Sequence, residues 1–188
     1  MGPGTRIQLG VACAALALTL PAEAAGGSGC ANADTPADAT SVDTMREAVV
    51  CLVNQQRTTR GLPALDASSK LNRAAQGWTN SMVASGHFEH GNFTGRFDAV
   101  RYDWQSAGEN IATGYATPRR TVAAWMASPD HCRNVLDPSF RDIGTGERYA
   151  PVRGWASGPA TWTQDFGLQM SQSARSHNQG PASGCPYR

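Results

Sequence analysis

Four cysteines constrain this chain more than any other feature. Of the five in the sequence, Cys13 falls in a segment that reads as an export signal. There Arg6 supplies the positive end, Val11 to Leu20 is apolar, and Ala22-Glu23-Ala24 has the small-x-small form of a cleavage site. The apolar stretch is too short to cross a bilayer, which takes about 20 residues. Cleavage after Ala24 leaves Cys30, Cys51, Cys132 and Cys185 in an oxidising, extracellular setting, where an even set reads as two disulfides. Proximity in sequence favours Cys30 with Cys51, tying an N-terminal arm to the first helix, and Cys132 with Cys185, tying down the C-terminal tail. A zinc–cysteine site is the weaker alternative, because there is no Cys-x-x-Cys pair.

The 188 residues amount to one domain at the usual size of roughly 150 residues. With 40% hydrophobic and 16% charged residues, there is enough apolar material for a core and too little charge for a disordered chain. A net charge of +1 and the lack of any basic run argue against a nucleic-acid partner. The expected organisation is a signal at 1–24, an extended arm at 25–42, a domain at 43–170 and a tail at 171–188. No segment after the signal is apolar enough to span a membrane.

Within the domain, Thr44 and Glu47 have capping-box spacing, and Met45, Val49, Leu52 and Val53 follow at helical intervals up to Gly61 and Pro63. A second helix is expected from Ser68 to Ser85, with Leu71, Ala75, Trp78 and Met82 on one stripe and Gly86 as its stop. Residues 87–116 lack periodicity and read as loops with one or two short pieces of structure. Thr117 and Pro118 open a third helix that runs to Ser128-Pro129. Residues 140–149 and 160–169 read as strands. The pattern is α+β, helices packed on a small, mainly antiparallel sheet. Trp78, Trp125 and Trp162 fall at core positions, whereas Trp155 lies in a glycine-rich loop and is expected at the surface.

Residues suited to chemistry are few. His87 and His90 flank Glu89, but this is not the His-Glu-x-x-His zinc motif, because His90 follows the glutamate directly. Glu109 sits between Gly108 and Asn110, and His131 follows Ser128-Pro129-Asp130. Ser128, His131 and Glu109 have the residue types of a nucleophilic triad without the Gly-x-Ser-x-Gly elbow that would support one.

Together these segments resemble a known family. Cys51-Leu52-Val53-Asn54-Gln55-Gln56-Arg57, Gly86-His87-Phe88-Glu89-His90, Gly108-Glu109-Asn110-Ile111-Ala112, Trp125 through Leu136, and Trp162-Thr163-Gln164-Asp165-Phe166-Gly167 are similar, in order and spacing, to the bacterial branch of the CAP superfamily. That group comprises the cysteine-rich secretory proteins, antigen 5 and pathogenesis-related 1, and its domain is also called SCP. The resemblance implies a three-layer α-β-α sandwich with a central cleft. It implies that His90, His131 and Glu109 face the cleft, and that His90 and His131 are the candidate ligands in members that hold zinc or another divalent cation. Ser128 stands where many members carry a second glutamate, which weakens any mechanism needing two carboxylates. Glu109 is then the one candidate base, and no cofactor is required. The expected function is a secreted, monomeric binding module whose cleft (His90, Glu109, Ser128, His131) takes a small apolar, lipid or peptide ligand. The alternative is a metal-dependent hydrolase acting on a peptide or cell-envelope substrate.

Overall fold

The computed structural model describes residues 29–174 and 184–185; the expected export signal at 1–24 and most of the tail lie outside them. Helix α1 spans Val42–Thr58. Its cap is Ser41, not Thr44: Ser41 is in extended backbone and its hydroxyl accepts from the Thr44 amide at 3.2 Å, while Thr44 is already helical. Met45, Val49, Leu52 and Val53 are buried as their spacing requires. Two polar residues of the same helix are also structural. Asn54 exchanges two hydrogen bonds with the Leu65 backbone. Arg57 is fully buried and donates to the carbonyls of Pro63, Val135 and Asp137, and burial lowers its pKa to about 10.

Helix α2, Ser69–Ser85, is capped by Ser68 and stops at Gly86, which takes φ +75°. Helix α4, Pro118–Ala127, opens on Thr117 with Pro118 in its first turn. At Ser128 the backbone turns extended, as a residue before proline tends to, and a separate helix α5, Pro129–Val135, starts there. The region read as loops holds more order than expected. It forms helix α3, Phe93–Ala99, and a ten-residue strand β2, Trp104–Thr113. Strand β1 is only Asp66–Ala67, and β3, Asp142–Arg148, and β4, Thr161–Gln169, fall inside the two expected strands.

The sheet order is β1-β3-β4-β2, with β1 parallel to β3 and the other pairs antiparallel. Helices α2 and α3 cover one face; α1, α4 and α5 cover the other. The main core lies between the sheet and the second group, where Trp162 and Phe166 of β4 meet Met45, Val49 and Trp125. On the first face, α2 lies directly on the sheet backbone. A Cβ at Gly144 would stand 2.2 Å from the Leu71 carbonyl carbon, and one at Gly146 2.4 Å from that of Ala75.

Both expected disulfides are present, Cys30–Cys51 and Cys132–Cys185. The described part of the arm is a run of turns rather than an extended segment. Ala33 and Ala37 are buried, Ala37 donates to the Ala116 carbonyl and the Arg119 amide donates to Ala33. Among the described residues, no helix is long and apolar enough to cross a membrane.

Candidate functional site

The site is built along the outer edge of β2. Glu109 and Ile111 point their side chains to the α2 face, and their carbonyls turn outward from the sheet. The Asn134 amide donates to the Glu109 carbonyl at 3.0 Å and the Trp125 indole to that of Ile111 at 3.3 Å. Asn110, on the opposite face, donates to the His131 carbonyl and to Gln164, and accepts from Asn134. This chain of amides fixes α5, and therefore His131, against the strand that carries Glu109.

The Glu109 side chain is wholly buried. One carboxylate oxygen lies 2.8 Å from His90 Nδ1, and the other accepts from Arg96 Nη2. Arg96 also donates to the His90 carbonyl at 3.0 Å, and its guanidinium lies 4.1 Å from the centroid of the Trp78 ring. Trp78 is therefore a half-buried platform beside the cleft, not a core residue; its indole donates to the Glu89 carbonyl and pins the histidine loop. Arg96, not His131, is the partner of the second Glu109 oxygen.

His131, on α5, stands within electrostatic reach of His90. Burial first, and the neighbouring His90 second, push its pKa below the ordinary value, against a smaller opposing effect of Asp130. It is a neutral imidazole at pH 7. Ser128 and His131 line a cleft of about 310 Å³ with Phe88, Ile111, Tyr115 and Trp155. Trp155 is 61% exposed, as its loop position predicts, and packs against Phe88 with ring centroids 5.5 Å apart. His87 is exposed and does not line this cleft, although its neighbour Phe88 does. A larger hollow, about 540 Å³, opens at the other sheet edge beside Arg46 and Asn72, and holds none of the cleft residues.

Among the described residues, no group of three or more His, Cys, Asp or Glu side chains is placed to hold a metal ion. His90 and His131 offer two imidazoles, and Glu109 is already committed to a guanidinium. Catalytic zinc generally has three protein ligands, so these residues do not fit such a centre.

Two residues of the site were not found from the sequence. Arg96 is one of fifteen arginines and carries no local signal that sets it apart. Asp165 is fully buried on β4, directly opposite Glu109 in the strand register. Burial, and then the Glu109 charge, raise its pKa well above the carboxylate range, with Arg96 opposing. The signal was within reach, since the aspartate stands between Gln164 and Phe166 in a strand with no other charged side chain.

A small sheet between two helical layers is the architecture of the CAP class of domain; of the residues expected to face its cleft, Ser128 and His131 line it, whereas Glu109 is buried behind it. The chain belongs to that family: the model described as "CAP: Cysteine-rich secretory protein family" matches residues 50–166. It is 34% identical over 131 residues to the uncharacterized protein YkwD of Bacillus subtilis, covering 67% of this chain and 48% of that protein. It is 28% identical over 108 residues to the uncharacterized membrane protein YlbC of the same organism, 55% of this chain and 31% of that one. The chain thus spans less than half the length of these curated relatives. Among solved structures, an extracellular SCP-domain protein of Bacillus anthracis superposes with a TM-score of 0.59 at 24% identity, over 69% of this chain and 44% of that one. An outer surface protein of Borrelia burgdorferi gives 0.57 at 18%, over 64% and 90%. These likenesses show the fold.

Proposed function

We propose that this is a secreted CAP domain whose cleft binds a small apolar or peptide ligand without turning it over. The observation that carries this reading is the pairing of an open aromatic cleft with a glutamate that has no free oxygen. Phe88, Tyr115 and Trp155 offer apolar surface at the rim, with Ser128 and the neutral His131 as the polar contacts that would orient a ligand. A hydrolase needs a base able to take a proton from water, and Glu109 is sealed between Arg96 and His90. Secretion is supported by the two disulfides and by the signal read in the first 24 residues.

The test uses the oxidised protein and a fluorescent apolar probe, 1-anilinonaphthalene-8-sulfonate. One-to-one binding should weaken roughly tenfold in W155A, about 1.4 kcal/mol, and stay within a factor of about two in E109Q. Binding indifferent to Trp155 refutes the reading. So does cleavage of peptide substrates by the parent protein that disappears in E109Q.

A further inference from the structure

Among the described buried residues that carry an unpartnered polar atom, Asp165 is the one with two. Asp165 is fully buried, and neither carboxyl oxygen meets a hydrogen-bond donor. Such an atom pair is expensive to bury as an anion and unusual to leave bare. Its setting is defined by the sheet. Glu109 pairs with Asp165 across β2 and β4, and the outward turn of the Glu109 and Ile111 carbonyls makes this a non-hydrogen-bonded pair, in which Cα atoms approach to about 4.5 Å and side chains lie closest. On its other side Asp165 faces Gly144, whose missing side chain makes room for α2. Two carboxyls thus share a dry space in which Arg96 brings one full positive charge to Glu109. His90, the other partner of Glu109, stands nearer solvent. From α2, the polar groups packed on this part of the sheet are already engaged: the Thr79 hydroxyl bonds Thr163 and the Ala75 carbonyl, and Asn72 accepts from the Thr145 amide.

We infer that Asp165 is the second acid of this site: a neutral carboxyl whose proton is donated to Glu109, leaving Glu109 as the single anion that Arg96 and His90 share. The charges then balance. An ionised Asp165 would place two anions against one buried guanidinium, whereas a neutral one gives its own proton an acceptor on Glu109. Asp165 is a positioning residue, acting on His90 through Glu109 and touching nothing in the cleft. Ser128, between α4 and α5, carries no carboxyl, and this second acid stands instead on β4, behind the site and not within it. This holds whatever the cleft binds.

The test is the carboxyl carbon of Asp165, assigned through bonds from the backbone in 13C,15N-labelled full-length protein and followed from pH 4 to pH 8. It should keep the shift of a protonated acid past pH 7, while exposed aspartates such as Asp34 ionise below pH 5. Replacing the anion by Glu109→Gln leaves Arg96 facing Asp165, which should then ionise at least two pH units lower. The melting temperature of D165N relative to the parent should rise from pH 4.5 to pH 7.5, because an amide keeps the donor and cannot lose it. An Asp165 carboxyl that titrates with the surface aspartates overturns the assignment even if D165N does not fold. So does one whose titration is indifferent to Glu109→Gln.

Discussion

Replacing Arg96 by methionine isolates the charge that holds the cleft together. The Glu109 side chain has no exposure and that of Arg96 only 17%, so their contact is far from a surface ion pair. Removing one partner of a fully buried pair costs about 3–5 kcal/mol, mostly from the charge left behind. Two features lower that here. His90 still contacts the second oxygen of Glu109, and methionine can keep much of the packing on the Trp78 ring. About 2–3 kcal/mol is the expected loss, or about 4–12 °C in Tm for a domain of this size. The assay is urea unfolding of the oxidised protein at pH 7, run as a cycle with E109Q and the double variant. In the double variant no buried charge is stranded, and its loss should be about 1 kcal/mol, smaller than that of R96M alone. If R96M costs less than about 0.5 kcal/mol, Glu109 is solvated and the arrangement argued above is wrong. Strict additivity of the two single changes would refute it equally.

Gly144→Ala should abolish folding or cost at least about 3 kcal/mol, because its methyl group would meet the α2 backbone at 2.2 Å, where no rotamer offers relief; native-like circular dichroism and an unchanged melt would disprove that contact. Glu147 gives a separate pH effect. Burial, and then Asp38, raise its pKa to about 7, whereas an unfolded glutamate ionises near 4.3. Between those values the unfolded chain gives up a proton that the fold retains, so this group makes the protein less stable as pH rises from about 4.5 to 7 and adds no slope above that. Glu147→Gln should raise the melting temperature at pH 7.5 relative to the parent and leave it nearly unchanged at pH 4, and a variant that melts lower at pH 7.5 would contradict it.

The elements whose ends are set by local chemistry could be read directly. Ser68 and Gly86 bound α2, and Thr117 with Pro118 opens α4, because caps and proline act within one turn. Strand β2 escaped the same reading for a physical reason. In Glu109-Asn110-Ile111 an acid and an amide occupy buried positions that a pattern search expects to be apolar, and their partners come from elsewhere: Arg96 and His90 for one, Gln164 and Asn134 for the other. The site was half legible for the same reason. His90, Glu109 and His131 lie in recognisable segments, but the pairing of Glu109 with Arg96 and Asp165 depends on strand register and on where α3 packs, which no local window contains. Asn54 and Arg57 show the converse, since two polar residues of a recognisable segment serve backbone carbonyls and an amide far from the cleft.

The open margin of β2 also bears on solubility. A ten-residue edge strand with bare carbonyls is a template on which another chain can add a strand. Here the Asn134 and Trp125 side chains occupy the outward carbonyls of Glu109 and Ile111, and the helix carrying Asn134 is bound to the tail through Cys132–Cys185. At the opposite margin β1 covers only Asp142 and Ile143 of β3, and beyond them the Thr145 and Glu147 amides donate to Asn72 and Gln76 while Arg46 donates to the Thr145 carbonyl. Side chains of the helices packed on the sheet thereby occupy positions at which an added strand would pair, and the Cys132–Cys185 bridge ties α5, which carries one of them, to the tail.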